Sequence, residues 1–279
     1  MTRRKLLAAA MMAMAASDAM AQDGPVPPLQ AHRAIYDLEL KQASERSGID
    51  AIYGRMVYEF TGAACKGYTT RFRFATRINT GDEVRMSDQR LTSFEDAKTG
   101  VFRFDNQSFT DETLDKQVKG EATIKPGGVS VTLDGENARS VELPESVFPT
   151  MHMQEVIANA LGGKTLFDTR VFDGSEDGDK SLLVTTIIGK PNTDADSGAD
   201  SDGTAAAVLS AKPWWPVTAS YFNEGAGGDS EPAYRLSFKL YDNGVSRDLV
   251  MDYGDFSLSG KLSKLELLPE ETCEPAKAP

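Results

Sequence analysis

The chain has 279 residues, 40% hydrophobic and 8% aromatic, with 30 Lys and Arg against 42 Asp and Glu for a formal charge of −12. That composition excludes a disordered or collagen-like polymer, and the acidic surplus argues against nucleic-acid binding, which needs a Lys/Arg excess to neutralise phosphate. Two cysteines are too few for a disulfide-rich miniature fold or a four-cysteine zinc module.

The first residues read as an address. Arg3-Arg4-Lys5 is a positive n-region, Leu6 to Ala16 an uncharged Leu/Ala/Met run, and Ala19-Met20-Ala21 a small-x-small cleavage site. The run is too short for the about 20 residues a bilayer span needs. Residues 1–21 are therefore expected to be a cleaved signal peptide, with Gln22 as the mature start and no transmembrane anchor. Cleavage removes three bases and one acid, which takes the charge to −14. Residues 22–30, with Pro25, Pro27 and Pro28, read as an extended arm.

Strands follow. Apolar and polar residues alternate over Ala34–Lys41, Arg55–Phe60 and Arg71–Ile78, where Arg71, Arg73 and Arg77 share one side and Phe72, Phe74 and Ile78 the other. The series continues through Val101–Phe104, Glu121–Lys125, Val129–Leu133, Thr165–Phe172 and Leu182–Ile188. It closes with Tyr234–Leu240, the turn Asp242-Asn243-Gly244, then Leu249–Tyr253 and Phe256–Leu268. A weak helical signal lies at Leu114–Val118. One helix is clear: Pro149 and Thr150 start it with Thr150 as N-cap, Met153, Val156, Ile157, Ala160 and Leu161 share a face, and Gly162-Gly163 ends it. One amphipathic helix near 150–161 among about a dozen strands implies a mainly β fold, a sheet curved around that helix. Residues 192–204 are Asp-rich with nothing apolar larger than Ala, and read as a mobile acidic surface loop.

Each chemical candidate has a plainer alternative. Asp194, Asp196, Asp200 and Asp202 could offer oxygen to calcium, but Gly198 stands where an EF-hand needs its third ligand and no Glu occupies position twelve. His152 sits in Met151-His152-Met153, yet on a helix residues 151 and 153 diverge too far to clamp one ion. No metal or cofactor is expected. Nucleophile-elbow, β-lactamase, Walker and dinucleotide motifs are absent. A hydrolase would have to rest on an unrecognised pair, with His152 as its base. Trp214 and Trp215 point to opposite faces if on a strand, so one can enter the core while the other meets ligand or solvent. Cys65 and Cys273, 208 positions apart, would form a disulfide after export, a clasp worth roughly 5 kcal/mol at most. A reactive thiol or a metal ligand is the other reading.

Several stretches taken together resemble the EipB family of alphaproteobacterial periplasmic proteins. They are His32–Leu38, Gly54–Phe60 leading to Cys65-Lys66-Gly67-Tyr68, Phe148–His152, Val171–Ser175, Trp215-Pro216-Val217 through Tyr221-Phe222, and Tyr241–Gly244 to Leu267. The resemblance runs from about His32 to Cys273 and treats the Asp-rich loop as an insertion. It implies a periplasmic protein needed for cell-envelope integrity, with no established enzyme activity. The implied fold is a curved, many-stranded antiparallel β-spiral or half-barrel over residues 31–279, one domain, with the Cys65–Cys273 disulfide. Such a spiral is similar to the half-barrels of lipoprotein carriers and would leave an apolar concavity. The resulting expectation is a non-enzymatic protein, monomer or homodimer, holding a lipid-like or hydrophobic ligand or an envelope protein partner, with Trp214 or Trp215 at the edge of the site.

Overall fold

The computed structural model describes residues 29–81, 83–135, 138–193, 208–209, 212–223 and 231–273. The expected signal peptide (residues 1–21), most of the expected 22–30 arm and residues 194–204 of the expected acidic loop lie outside the described residues. Fourteen strands form one antiparallel sheet. They are β1 (His32–Ala43), β2 (Ala51–Ala63), β3 (Gly67–Thr80), β4 (Glu83–Asp96), β5 (Val101–Thr110), β6 (Thr113–Lys125), β7 (Gly128–Leu133), β8 (Arg139–Leu143), β9 (Leu166–Val171), β10 (Leu182–Ile188), β11 (Trp214–Asn223), β12 (Tyr234–Tyr241), β13 (Ser246–Asp252) and β14 (Phe256–Leu267). The helix α1 spans Pro149–Leu161.

The order β8-β7-β6-β5-β4-β3-β2-β1-β14-β13-β12-β11-β10-β9 explains itself from the chain. Successive hairpins run outward from β1 to β8, the chain then crosses by α1 to the far edge, and β9 to β14 walk back until β14 pairs with β1. The sheet is curved and not closed. Among the described residues the chain makes a single bridge between its edges, Val147 beside Val171.

One face carries the core. Ala34, Tyr36 and Leu38 on β1 are registered with Tyr58, Met56 and Gly54 on β2. On the other side the same layer passes through Leu258, Met251, Leu236 and Ala219. Helix α1 lies on this face. Its Val156, Ile157 and Ala160 pack with Phe167, Ile188, Trp215, Val217 and Leu240. The helix thus occupies the concavity, as its apolar stripe requires. Its C-terminus matches expectation: Gly163 takes φ +75, and the N–H groups of Gly163 and Lys164 reach back to the carbonyls of Ala160 and Asn159. Leu161, expected on the buried face, is instead 60% exposed, because one residue beyond Ala160 turns about 100° off the stripe.

The opposite, convex face is charged. Arg33 donates to Glu59 and Glu266 (2.8 Å each), Arg71 to Glu59 (2.9 Å), and Arg73 grips Asp88 with two bonds of 3.0 and 2.9 Å. These pairs are largely exposed and keep the face in water more than they stabilise the fold. The weak helical signal at Leu114–Val118 is overturned: those residues lie in β6, paired with β5 from Phe109 back to Asn106. A local helical pattern does not compete with the continuous ladder to β5.

Candidate functional site

The disulfide Cys65–Cys273 is formed, with 5.8 Å between the Cα atoms. Cys65 lies in the β2–β3 turn and Cys273 beyond β14, so the bond passes over the ends of β2, β1 and β14, which are neighbours in the sheet. Beside it Lys66 pairs with Glu271 at 3.1 Å. The clasp locks the junction where the two halves of the sheet meet.

The concave face is the candidate ligand site. Beyond the part that α1 covers, it presents half-buried apolar side chains. Phe72 and Phe74 lie in register with Tyr58 and Met56, their rings 6.2 Å apart and nearly parallel. Leu40, Ile78, Leu236 and Phe256 pack against the same core without being enclosed by it. An aromatic row continues along β11 to β14: Tyr221 stacks on Tyr234 (4.2 Å), Tyr234 lies 6.2 Å from Tyr253, and Tyr253 stacks on Phe256 (5.0 Å). Burial raises the phenol pKa of Tyr221 and Tyr234, so both stay neutral. On β4 the layer changes character. Ser87, Gln89 and Ser93 face Thr76, Phe74 and Thr70, with Leu91 among them opposite Phe72, which gives an otherwise apolar wall a mainly polar stripe.

That stripe ends at Glu95, which sequence reasoning missed. The residue is 2% exposed. Its carboxylate accepts the backbone N–H of Thr150 at 2.7 Å and of Met151 at 2.9 Å. A carboxylate here satisfies two orphan donors of the first helical turn and meets the positive end of the helix dipole. Thr150 is therefore not the N-cap. Phe148 holds that position with no side-chain cap bond, and Glu95, 55 residues before Thr150 in the chain, performs the capping. Burial raises the Glu95 pKa, opposed by those bonds.

His152 lies one turn into the helix, 8% exposed, in edge contact with the Phe167 ring, and its Nε2 has no hydrogen-bond partner. Burial pushes its pKa down to about 4. His32 is also buried. Its Nδ1 meets the Gln30 carbonyl at 2.7 Å and its ring packs by Tyr58 and Phe60. Neither histidine joins a cluster of three or more His, Cys, Asp or Glu side chains among the described residues.

The two tryptophans separate as strand alternation demands. Trp215 is buried under α1. Trp214 is half-buried on the other side, with the Lys239 ammonium 4.8 Å from its ring centroid. Both indole N–H groups are buried without an acceptor, and so is the Thr186 hydroxyl, whose residue pairs with Phe167. His152, Trp215 and Thr186 thus place three unsatisfied polar atoms around Phe167 and the helix. Such orphans are rare in native interiors.

Among the described residues no helix is long and apolar enough to cross a membrane. Residues 23–269 match the family described as EipB-like. Over 237 residues, 85% of this chain and 83% of the relative, the sequence is 46% identical to the cell envelope integrity protein EipB of Brucella abortus (strain 2308). The fold is also similar to the crystal structure of a β-barrel-like protein of a domain of unknown function from Brucella abortus. There the TM-score is 0.81 at 44% identity, covering 87% of this chain and 99% of that one.

Proposed function

The chain belongs to the EipB-like family, and on that premise we propose that it is a periplasmic, non-enzymatic protein that supports cell-envelope integrity by holding a lipid-like or hydrophobic ligand against its concave sheet. The observation that carries this reading is the half-buried apolar layer around Phe72, Phe74, Leu236 and Phe256 beside the helix. A half-buried apolar layer in a chain of net charge −12 is a binding feature more than a solubility feature. The orphan polar atoms of His152, Trp215 and Thr186 are sealed under α1, so a ligand on the open layer does not need to reach them. Trp215 then forms the seat of the helix and Trp214 the outer edge of the same strand.

The test is titration of the delipidated mature protein with cis-parinaric acid, wild type beside Phe74→Arg. Saturable fluorescence enhancement that Phe74→Arg abolishes supports the reading. No enhancement, or equal enhancement in both, ends it. The hydrolase alternative through His152 fares worse on geometry. A general base needs a pKa near the working pH and reach to its substrate, whereas this imidazole is buried with a pKa of about 4. An unchanged envelope phenotype in His152→Ala would remove that alternative.

A further inference from the structure

The two sheet edges approach each other around α1 but, among the described residues, meet only at Val147. There the chain runs parallel to β9: Val147 N–H donates to the Arg170 carbonyl and Phe172 N–H to the Val147 carbonyl, both at 2.9 Å. Next to this bridge is a groove of about 560 Å³, lined by the β6–β7 turn (Ile124, Lys125, Gly128), the 145–147 segment, Met151 and Glu155 of α1, and Asp168 to Arg170 of β9.

The wall formed by β9 has a definite hydrogen-bonding polarity. Ile188 N–H bonds the Thr165 carbonyl, which fixes the phase of the β9–β10 ladder. In an antiparallel pair the bonded residues alternate. Phe167, Thr169 and Val171 therefore bond β10, while the N–H and C=O groups of Leu166 and Asp168 point the other way, toward the line that Val147 occupies further along. Among the described residues no strand pairs with them there. Apolar side chains flank that line among the charged ones. Ile124, Val147 and Met151 lie within the groove, and Leu166 with its cross-strand partner Ile187 stands outside at 57% and 53% exposure. Three acids, Glu145, Glu155 and Asp168, share the groove with Lys125 and Arg170.

We propose that this groove is a strand-addition site, which takes an extended segment of another polypeptide in line with Val147 and pairs it with the outward backbone groups of Leu166 and Asp168. The added strand would continue a pairing the chain has already begun. Its alternate side chains would bury on Met151 and Ile124 inside and on Leu166 and Ile187 outside, as peptide recognition by β-augmentation does. The acidic majority of the lining, in a chain of charge −12, selects a segment that also carries Lys or Arg. An acyl chain would leave the strand edge unpaired and five charged groups facing hydrocarbon, so this site is distinct from the concave layer and stands or falls separately from it.

The experiment is to pan a phage-displayed random heptapeptide library on the immobilised mature protein and measure the winning synthetic peptide by fluorescence anisotropy. The comparison variants are Asp168→Pro and Glu145→Lys. Proline deletes one outward N–H at an edge position where a strand tolerates it. The expected winners alternate β-branched or apolar residues with Lys or Arg. Asp168→Pro should weaken binding by about tenfold, Glu145→Lys should weaken it by a smaller factor, and hydrogen exchange at the Asp168 amide should slow on binding. If no peptide is enriched, or the winner leaves Asp168 exchange unchanged, the proposal fails. If Asp168→Pro does not fold, the exchange measurement and Glu145→Lys decide the matter without it.

Discussion

Glu95→Ala is the most informative single change to the architecture, because it cuts the link between sheet and helix without touching either core. The carboxylate is buried and takes two helix N–H groups at 2.7 and 2.9 Å. Bonds to a charged acceptor are worth about 1.5–3 kcal/mol each, and unmet buried donors cost a similar amount. Against this, deleting the residue removes a buried charge whose desolvation costs several kcal/mol. The balance is a loss of about 2–4 kcal/mol, a large share of the roughly 5–15 kcal/mol that holds a domain together. Glu95→Gln keeps one acceptor oxygen and should lose about half as much. Urea unfolding at neutral pH, disulfide intact, measures both. The acid's pKa is raised by burial, so the folded protein keeps this proton at a higher pH than the unfolded chain does. The stability linked to it is complete below the ordinary glutamate value and is lost as pH rises through the raised one. Glu95→Gln cannot titrate there, so the gap between wild type and Glu95→Gln should narrow as pH climbs above about 4.5. A Glu95→Ala variant within about 0.5 kcal/mol of wild type, the range of an ordinary surface change, would refute the capping argument.

Three further outcomes follow from the same geometry. Reducing Cys65–Cys273, or replacing both residues by Ser, should lower stability by up to about 5 kcal/mol, since the bond closes a loop of 208 residues; denaturation with and without reductant measures it, and unchanged midpoints would contradict it. His152, its pKa lowered to about 4, stays neutral in the fold while the unfolded chain protonates. Stability should therefore fall as pH drops from about 6.5 toward about 4, by roughly 3 kcal/mol in all, and His152→Phe should remove that slope. Gly174 has φ +70, and a Cβ there would come 2.5 Å from the Phe104 ring, so Gly174→Ala should cost about 2–4 kcal/mol in thermal unfolding.

How far the sequence reveals this molecule depends on whether the interaction is local. Leu182–Ile188 reads as a strand to the residue because a compact run of Leu, Val, Thr and Ile is a local signal, although its faces do not follow polarity: Leu183 and Ile187 are exposed and Thr186 is buried. The charged convex face was visible at Arg71, Arg73 and Arg77 for the same reason. β4 escaped notice because its pattern is mixed on both sides: Ser87, Gln89 and Ser93 flank Leu91 on the inner face, while Met86 and Phe94 share the outer face with Asp88 and Arg90. A strand whose inner face looks onto an open concavity has no need of an apolar pattern. The helix was legible from its stripe and its glycines, but its cap was not, since Glu95 reaches it only once β4 is in place. The groove beside β9 was equally hidden. It is made of backbone groups left over where two sheet edges fail to meet, and no side-chain pattern encodes it.

The central claim is that the concave face carries a hydrophobic ligand. Native mass spectrometry of the protein isolated from its own cells without detergent tests it most directly, with a Phe74→Arg variant prepared in parallel. The account predicts an adduct on the wild-type protein that organic solvent extracts as a hydrophobic compound and that Phe74→Arg lacks. A spectrum showing only the bare mature chain, at the same mass before and after extraction, would contradict it.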